Sequence, residues 1–241
     1  MNRALGYVWG TLFVLAAWWL LAVCVGSPAL PGPVQTVHEL GANAGALLPQ
    51  TAISLERLLA GLAFGALIGA PIGLLAGMKP LVDRFVSPVL YILFPVPKIV
   101  FLPVLFVFFG LGGQAKVILI VIAVAFQMMV TMRDAAREVP VGQIEAMRSL
   151  GGNGWLVFLH VVVPSTLPYL FSGLRVSTGT AVAILFIGES MAGSTGLGYY
   201  IMHSWSMLEY ARMFSGIVAL AIVGVVLYEV FDLAERKLAA R

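Results

Sequence analysis

The chain has 241 residues, of which 61% are hydrophobic and only 10% charged, and its mean hydropathy is +1.00. Soluble domains carry charge on about a quarter of their residues, so this chain has too few charges to clothe a water-exposed surface. Its apolar runs are about 20 residues long, the length of membrane-crossing helices and not the roughly ten of barrel strands, which predicts an all-α integral membrane protein. The surplus of +3 is small and no nucleic-acid partner is expected, while the single cysteine, Cys24, allows neither a disulfide framework nor a cysteine-based metal site.

In chain order, the first span is expected at about Leu5–Val25, with Trp9, Trp18 and Trp19 as interface markers. The run is too long for a signal-peptide core and no small-x-small site ends it; Val23 before Cys24 also fits a lipoprotein box poorly, so a retained helix is expected. Ser27–Pro33 breaks the helix, and Val34–Pro49, carrying Gln35, His38, Glu39 and Asn43, reads as too short and too polar to cross. The second span, about 51–78, places Gly61, Gly65, Gly69, Gly73 and Gly77 at every fourth residue. Five glycines in register form a ridge that lets another backbone approach closely. Each four-residue step advances about 40° past a full turn, so the ridge winds and reaches more than one neighbour. Internal packing is the expectation and a dimer seam the alternative.

Lys79–Val86 reads as a charged turn. Phe85–Gly110 then holds Pro88, Pro95, Pro97 and Pro103, which no uninterrupted helix tolerates. A short helix, a break at Phe94–Lys98 and a third span at about 99–110 are predicted. Broken backbone at membrane depth needs protein or a water-filled cavity to supply hydrogen-bond partners, which makes Pro95, Pro97 and Lys98 pathway candidates. Lys98 snorkelling to an interface is the other reading. The remaining spans are expected at about 117–131, 167–187 and 213–233, with a polar loop over Gly188–Arg212 and a charged tail from Asp232. In that loop Met202, Trp205 and Met207 form either an interfacial belt or a partner surface.

Lys and Arg set the orientation. With the termini inside, the inner segments hold nine (Arg3, Lys79, Arg84, Arg133, Arg137, Arg148, Arg236, Lys237, Arg241) and the outer ones two, Lys116 and Arg212. Basic residues favour the cytoplasmic side, so both termini and residues 133–164 are expected there. Within that region Glu145 and Arg148 lie one turn apart, able to pair. The run Gly151-Gly152-Asn153-Gly154 then stops the helix, since Gly and Asn accept a left-handed C-cap. A second short element ends at Pro164. This helix, turn and element constitute a docking surface.

No phosphate-binding loop is present: Gly112-Gly113-Gln114-Ala115-Lys116 lacks both the spacing and the hydroxyl after lysine. His38, His160 and His203 are not spaced as metal ligands, no hydrolase elbow occurs, and no metal or catalytic residue is expected. Any nucleotide must bind to a partner. An intramembrane enzyme would need convergent acids or histidines in the spans, and an uncoupled channel would not need a capped docking helix.

Glu145-Ala146-Met147, three residues, Gly151, nine residues, then Val161-Val162-Val163-Pro164 resembles the EAA signature of permeases from ATP-binding-cassette importers. That signature reads Glu-Ala-Ala, three residues, Gly, nine residues, Ile-x-Leu-Pro. The spacing agrees throughout, and Met147, Val161 and Val163 depart apolar for apolar. The likeness is closest to the nitrate/sulfonate/taurine branch, through Pro95-Val96-Pro97-Lys98, Phe109-Gly110-Leu111-Gly112, and Glu189 with Gly196-Leu197-Gly198-Tyr199. The resemblance implies a six-helix type I importer permease in the cytoplasmic membrane, moving a small anion by alternating access. Sulfonate, taurine, nitrate or a vitamin precursor would be the substrate. It implies an ATPase dimer that binds ATP and Mg, an extracytoplasmic binding protein, a second permease copy and surrounding lipid. Coupling falls to Glu145, Ala146, Met147, Arg148, Gly151 and Pro164.

Charges at membrane depth are costly unless paired or hydrated. Arg57, Lys98, Arg175 and Glu189 are therefore either pathway residues or structural ones. For Arg57 and Arg175 the structural partners expected are Glu189, Glu56 or Glu229.

Overall fold

The structure, a computed structural model, describes the backbone of residues 3–239 and the side chains of residues 5–239. The side chain of Arg3 and all of Arg241, both counted in the charge tally, lie outside the described residues. Every regular element among the described residues is a helix. Among the described residues, five helices are long and apolar enough to cross a membrane: Leu5–Val25, Ala44–Met78, Gly113–Arg137, Gly154–Met191 and Tyr210–Ala239. A bent pair, Pro80–Leu93 with Lys98–Phe109, brings the count to six if it is one span. The chain divides into two compact units, Met1–Ser54 with Glu189–Ile222, and Leu55–Gly188 with Val223–Arg241.

The first unit holds α1 (Arg3–Val25), α2 (Pro33–Ala42), the start of α3 (Ala44–Met78), α10 (Leu197–Ser206) and the start of α11 (Tyr210–Ala239). Trp18 stacks on Phe214 at 5.8 Å between centroids and donates its indole N–H to the Pro31 carbonyl at 3.1 Å. The ring is thus fixed inside the unit as well as being apolar enough for lipid. Two expectations change here. Residues 34–49 form α2 and the opening turns of α3, because Pro33 supplies a ready N-terminal residue for a helix. The polar loop of 188–212 is mostly α10 and the end of the helix before it, Val163–Met191, since Gly196, at φ +103, lets the chain turn and start a new helix at once.

The second unit holds the rest of α3 and α11 with α4 (Pro80–Leu93), α5 (Leu102–Phe109), α6 (Gly113–Arg137), α7 (Val141–Ser149), α8 (Gly154–Val157) and α9 (Val163–Met191) up to Gly188. Its spine is the glycine ridge of α3 laid on α6. A β-carbon at Gly65 would sit 2.6 Å from Val124 Cβ, and one at Gly73 would sit 2.5 Å from the Met129 carbonyl oxygen. Gly61 faces Ile120, Gly69 the backbone of Ala125, and Gly77 that of Arg133. All five glycines face one helix, α6, from Ile120 to Ala136, so the ridge serves a single internal pair and not the several neighbours expected from its winding. Any side chain here would push the two backbones apart.

The expected third span, 99–110, is not a crossing by itself. It is a 3-10 turn, Lys98–Phe101, followed by the eight residues of α5, far short of the about 20 needed. It pairs instead with α4 across an 87° bend. The expected charged turn at 79–86 is the first part of α4, entered through Pro80 at its start. Asp83 explains how charge is tolerated there: it accepts from Arg133 Nε and from an Arg137 terminal nitrogen, each at 2.6 Å, and from Ser87 Oγ at 2.7 Å. The fourth helix correspondingly runs on past Thr131 to Arg137, and the tail from Asp232 continues α11 to Ala239.

Candidate functional site

The helix expected to dock is α7. Seven of its nine residues are exposed, all but Ile144 and Met147, and Glu145, Ala146 and Arg148 all face outward. Its inward side rests on a small apolar base: Val139, Val157, Val161 and Val162 are buried, and Leu74, Met78, Ile144 and Met147 pack around them. Met147 and Val161, two of the apolar departures from the signature, are therefore packing positions. Glu145 and Arg148 form no ion pair among the described residues. Their one-turn spacing permits one, but both side chains extend into the open.

The helix stop is fully accounted for by hydrogen bonds. Gly151 sits at φ +84 and donates its N–H to the Arg148 carbonyl at 2.9 Å. Gly152 N–H donates to the Met147 carbonyl at 3.0 Å. These two bonds are the Schellman C-cap. A β-carbon at Gly152 would meet the Met147 carbonyl oxygen at 2.7 Å, so the second glycine is required by contact where the first is required by conformation. Asn153 then begins the next helix, its side-chain oxygen accepting from Leu156 N–H at 2.9 Å.

The element after Asn153 does not end at Pro164. From Gly154 the helix continues to Met191, with a π turn at Phe158–Val162 directly before Pro164. Such a widened turn accommodates a ring and a missing N–H inside a helix. Pro164 marks an irregularity in one long helix, and the expected start at 167 lies well inside it. Tyr169 hydroxyl donates to Glu138 Oε2 at 3.2 Å, tying this helix to the chain entering α7.

At the break between α4 and α5, Lys98 folds back on the backbone. Its ammonium donates to the carbonyls of Leu93 at 2.6 Å, Val96 at 2.8 Å and Phe94 at 3.1 Å, and lies 4.9 Å from the Phe126 ring centroid. All three N–H donors are used on carbonyls at the interruption, one of which, that of Leu93, also accepts from Val96 N–H at 3.2 Å. Beside them is a cavity of about 350 Å³ lined by Phe94–Ile99, Phe126, Gln127, Thr180, Ile184 and Ile187 among others. Pro95, Pro97 and Lys98 thus lie on a cavity wall.

The other depth charges lie elsewhere. Arg175 is paired to Asp232 at 2.7 Å and to Glu235 at 3.3 Å, with the Tyr228 ring at 5.6 Å. The expected partners Glu189, Glu56 and Glu229 are not the ones used. Antiparallel packing of α9 on α11 brings the late, acidic turns of α11 to the level of Arg175. Arg57 lies against the start of α6, where a β-carbon on Gly113 would be 3.1 Å from its Nε.

Glu189 is buried in the first unit and cradled by the turn that follows it. Ser54 Oγ lies 2.8 and 3.0 Å from its two oxygens, and Gly198 N–H donates to it at 2.9 Å. Leu197 N–H donates in turn to Ser54 Oγ at 2.7 Å, and Gly196 N–H to Gln50 Oε1 at 2.6 Å. The carboxylate occupies the N-terminus of α10, where exposed N–H groups and the helix dipole favour an anion. Gly196 is pressed on the carboxylate so closely that a β-carbon would overlap it. This explains the Glu189 and Gly196-Leu197-Gly198 stretches as one structural unit. Sequence reasoning missed Ser54, Asp83, Gln127 and Thr180; a signal was available for Gln127, a lone polar residue within an apolar run, and not for Asp83 or Thr180, which have polar neighbours.

Among the described residues the chain thus presents a capped, outward-facing helix joined to a long apolar one, within a set of five membrane-length helices and a bent pair. The family described as binding-protein-dependent transport system inner membrane component matches residues 69–241. The taurine transport system permease protein TauC of Escherichia coli (strain K12) is 30% identical over 228 residues, covering 90% of this chain and 83% of that protein. The nitrate import permease protein NrtB of Leptolyngbya laminosa is 26% identical, covering 89% and 81%. A chain of the MetNI methionine ABC transporter, in an inward-facing conformation, superposes with a TM-score of 0.71 at 24% identity, covering 82% of this chain and 98% of that one, which shows a shared fold. This chain belongs to the family of inner-membrane components of binding-protein-dependent transport systems. It is the multi-pass permease subunit of an ATP-binding-cassette importer, working with a separate ATPase and a binding protein, and it is not itself an enzyme.

Proposed function

We propose that two copies of this chain form the translocation unit of an importer for small oxyanion-bearing solutes of the sulfonate, taurine or nitrate kind. The names of its relatives support that substrate class. In this reading both termini and α7 face the cytoplasm, in keeping with the distribution of Lys and Arg. The exposed face of α7, with Glu145, Ala146 and Arg148, seats in the ATPase, and Met147 anchors it to the apolar base. Gly151 fixes the stop and Pro164 lies where the next helix leaves the surface. ATP and Mg are held by the ATPase alone.

One observation carries the reading: α7 is outward-facing yet rigidly ended, with every turn of its stop hydrogen-bonded. A solvated connector needs no such stop, whereas a helix that receives a push does. Reconstitution of the chain with its ATPase and binding protein, using labelled taurine, tests it. Uptake should require ATP, and Glu145→Lys should abolish uptake while the protein still inserts and assembles. Taurine flux without ATP, or normal ATP-driven uptake in the variant, would overturn the proposal.

A further inference from the structure

Gln127 and Thr180 are polar side chains at the middle of membrane helices, and both line the cavity at the break. Neither makes a hydrogen bond among the described residues. Other hydroxyls in the same helix behave differently. Thr166 and Thr178 donate to the carbonyls four residues back, at 2.8 and 2.9 Å. A polar group at membrane depth with no partner in its own chain has to find one in water, a passing solute or a second copy, because lipid offers it nothing, and these two line a cavity.

The rest of the wall completes the chemistry. Lys98 contributes the one formal charge; no carboxylate lines the cavity. Its three donors are all committed to backbone carbonyls, so it cannot grip a solute directly, yet its charge remains. The opposing surfaces are apolar: Phe126, Ile184 and Ile187. A site with one fixed positive charge, two spare hydrogen-bonding groups and an apolar floor attracts a small oxyanion without holding it tightly. Loose attraction of this sort suits passage, where a solute must leave as readily as it enters.

We infer that Gln127 and Thr180 are the solute-contacting hydrogen-bonding groups of the pathway, for a small oxyanion such as a sulfonate, and that Lys98 is a positioning residue that locks the break and sets the sign of the field. This rests on the anion-importer reading above and names its contact residues.

The single cysteine makes the test clean. In a Cys24→Ser background, Gln127→Cys and Thr180→Cys are each treated, in the assembled complex with ATPase and binding protein, with 2-sulfonatoethyl methanethiosulfonate and with its trimethylammonium counterpart. Rates are normalised to those with a free thiol in solution. Both positions should react, the sulfonate reagent about tenfold faster, as a locally positive cavity concentrates anions. Lys98→Met should remove the preference and Lys98→Arg retain it. No reaction at either position, equal normalised rates, or a preference for the cation would overturn the assignment. If Lys98→Met fails to insert, the two cysteine positions and Lys98→Arg still decide it. Labelling as expected in a complex that imports no taurine would remove the broader function and leave the site, whereas intact taurine uptake with no labelling would remove the site alone.

Discussion

Gly151 shows how much a single residue can fix. Its φ of +84 belongs to the left-handed region, where a β-carbon is penalised by roughly 1–2 kcal/mol. Nothing lies within 4 Å of the position such a carbon would take, so the penalty is purely conformational. Gly151→Ala should therefore fold, lose several degrees of thermal stability in detergent and retain part of its uptake. Gly151→Pro should insert but lose coupled uptake, because it also removes the N–H that caps Arg148. Thermal unfolding alongside ATP-driven uptake separates the two effects; equal, full uptake in both variants would contradict the role of the cap. Glycine and asparagine at 151–154 were readable as a stop because each supplies a conformation or an acceptor that few other residues do. The absence of a Glu145–Arg148 pair was not readable, since spacing permits contacts that solvated side chains need not make.

At the scale of elements, pairings decide which charges can be buried. Arg175 with Asp232 joins α9 to α11, and Asp232 also meets Arg236 one turn on. Removing one partner from a largely buried pair costs about 3 kcal/mol, because the other charge is left behind. Arg175→Asp should thus lower thermal stability sharply, and Arg175→Asp combined with Asp232→Arg should recover part of it, the rest being offset by Arg236 beside the new arginine and Glu235 beside the new aspartate. Double-mutant stability measurements check this; failure of the swap to recover anything would mean that Arg175 is held for another purpose. The glycine ridge was legible because a four-residue period survives in sequence whatever lies opposite. Which helix lay opposite was not, and neither was the Arg175 partner, because both depend on how distant segments align. The bend between α4 and α5 was legible from its prolines. Its consequence, that residues 99–110 cannot cross alone, follows from helix lengths on both sides.

For the whole molecule, membership of the permease family was readable from hydropathy and the EAA spacing, whereas the expected six spans are, among the described residues, five membrane-length helices and one bent pair. The contact residues of the pathway were not. Charges drew attention to Arg57, Arg175 and Glu189, yet Arg175 is committed to its acidic partners and Glu189 to the cradle at α10. Two uncharged side chains, Gln127 and Thr180, face the cavity instead. A translocation unit of two identical copies predicts a complex holding two of these chains and two ATPase subunits. Native mass spectrometry of the purified importer checks it, and a second, different permease chain in the complex would refute the homodimer. The stop at Gly151–Gly154 has a mechanical side as well. It bolts α7 to the foot of a helix 38 residues long, which at 1.5 Å per residue is a rod of about 57 Å. Tilting that rod by about 5° at its foot moves its far end by about 5 Å, and Thr180, about two-thirds of the way along, by more than 3 Å. A displacement near the diameter of a water molecule at the cavity wall is enough to open or shut a path for a small solute, so under the function proposed above a slight rocking of α7 would be magnified at Gln127 and Thr180.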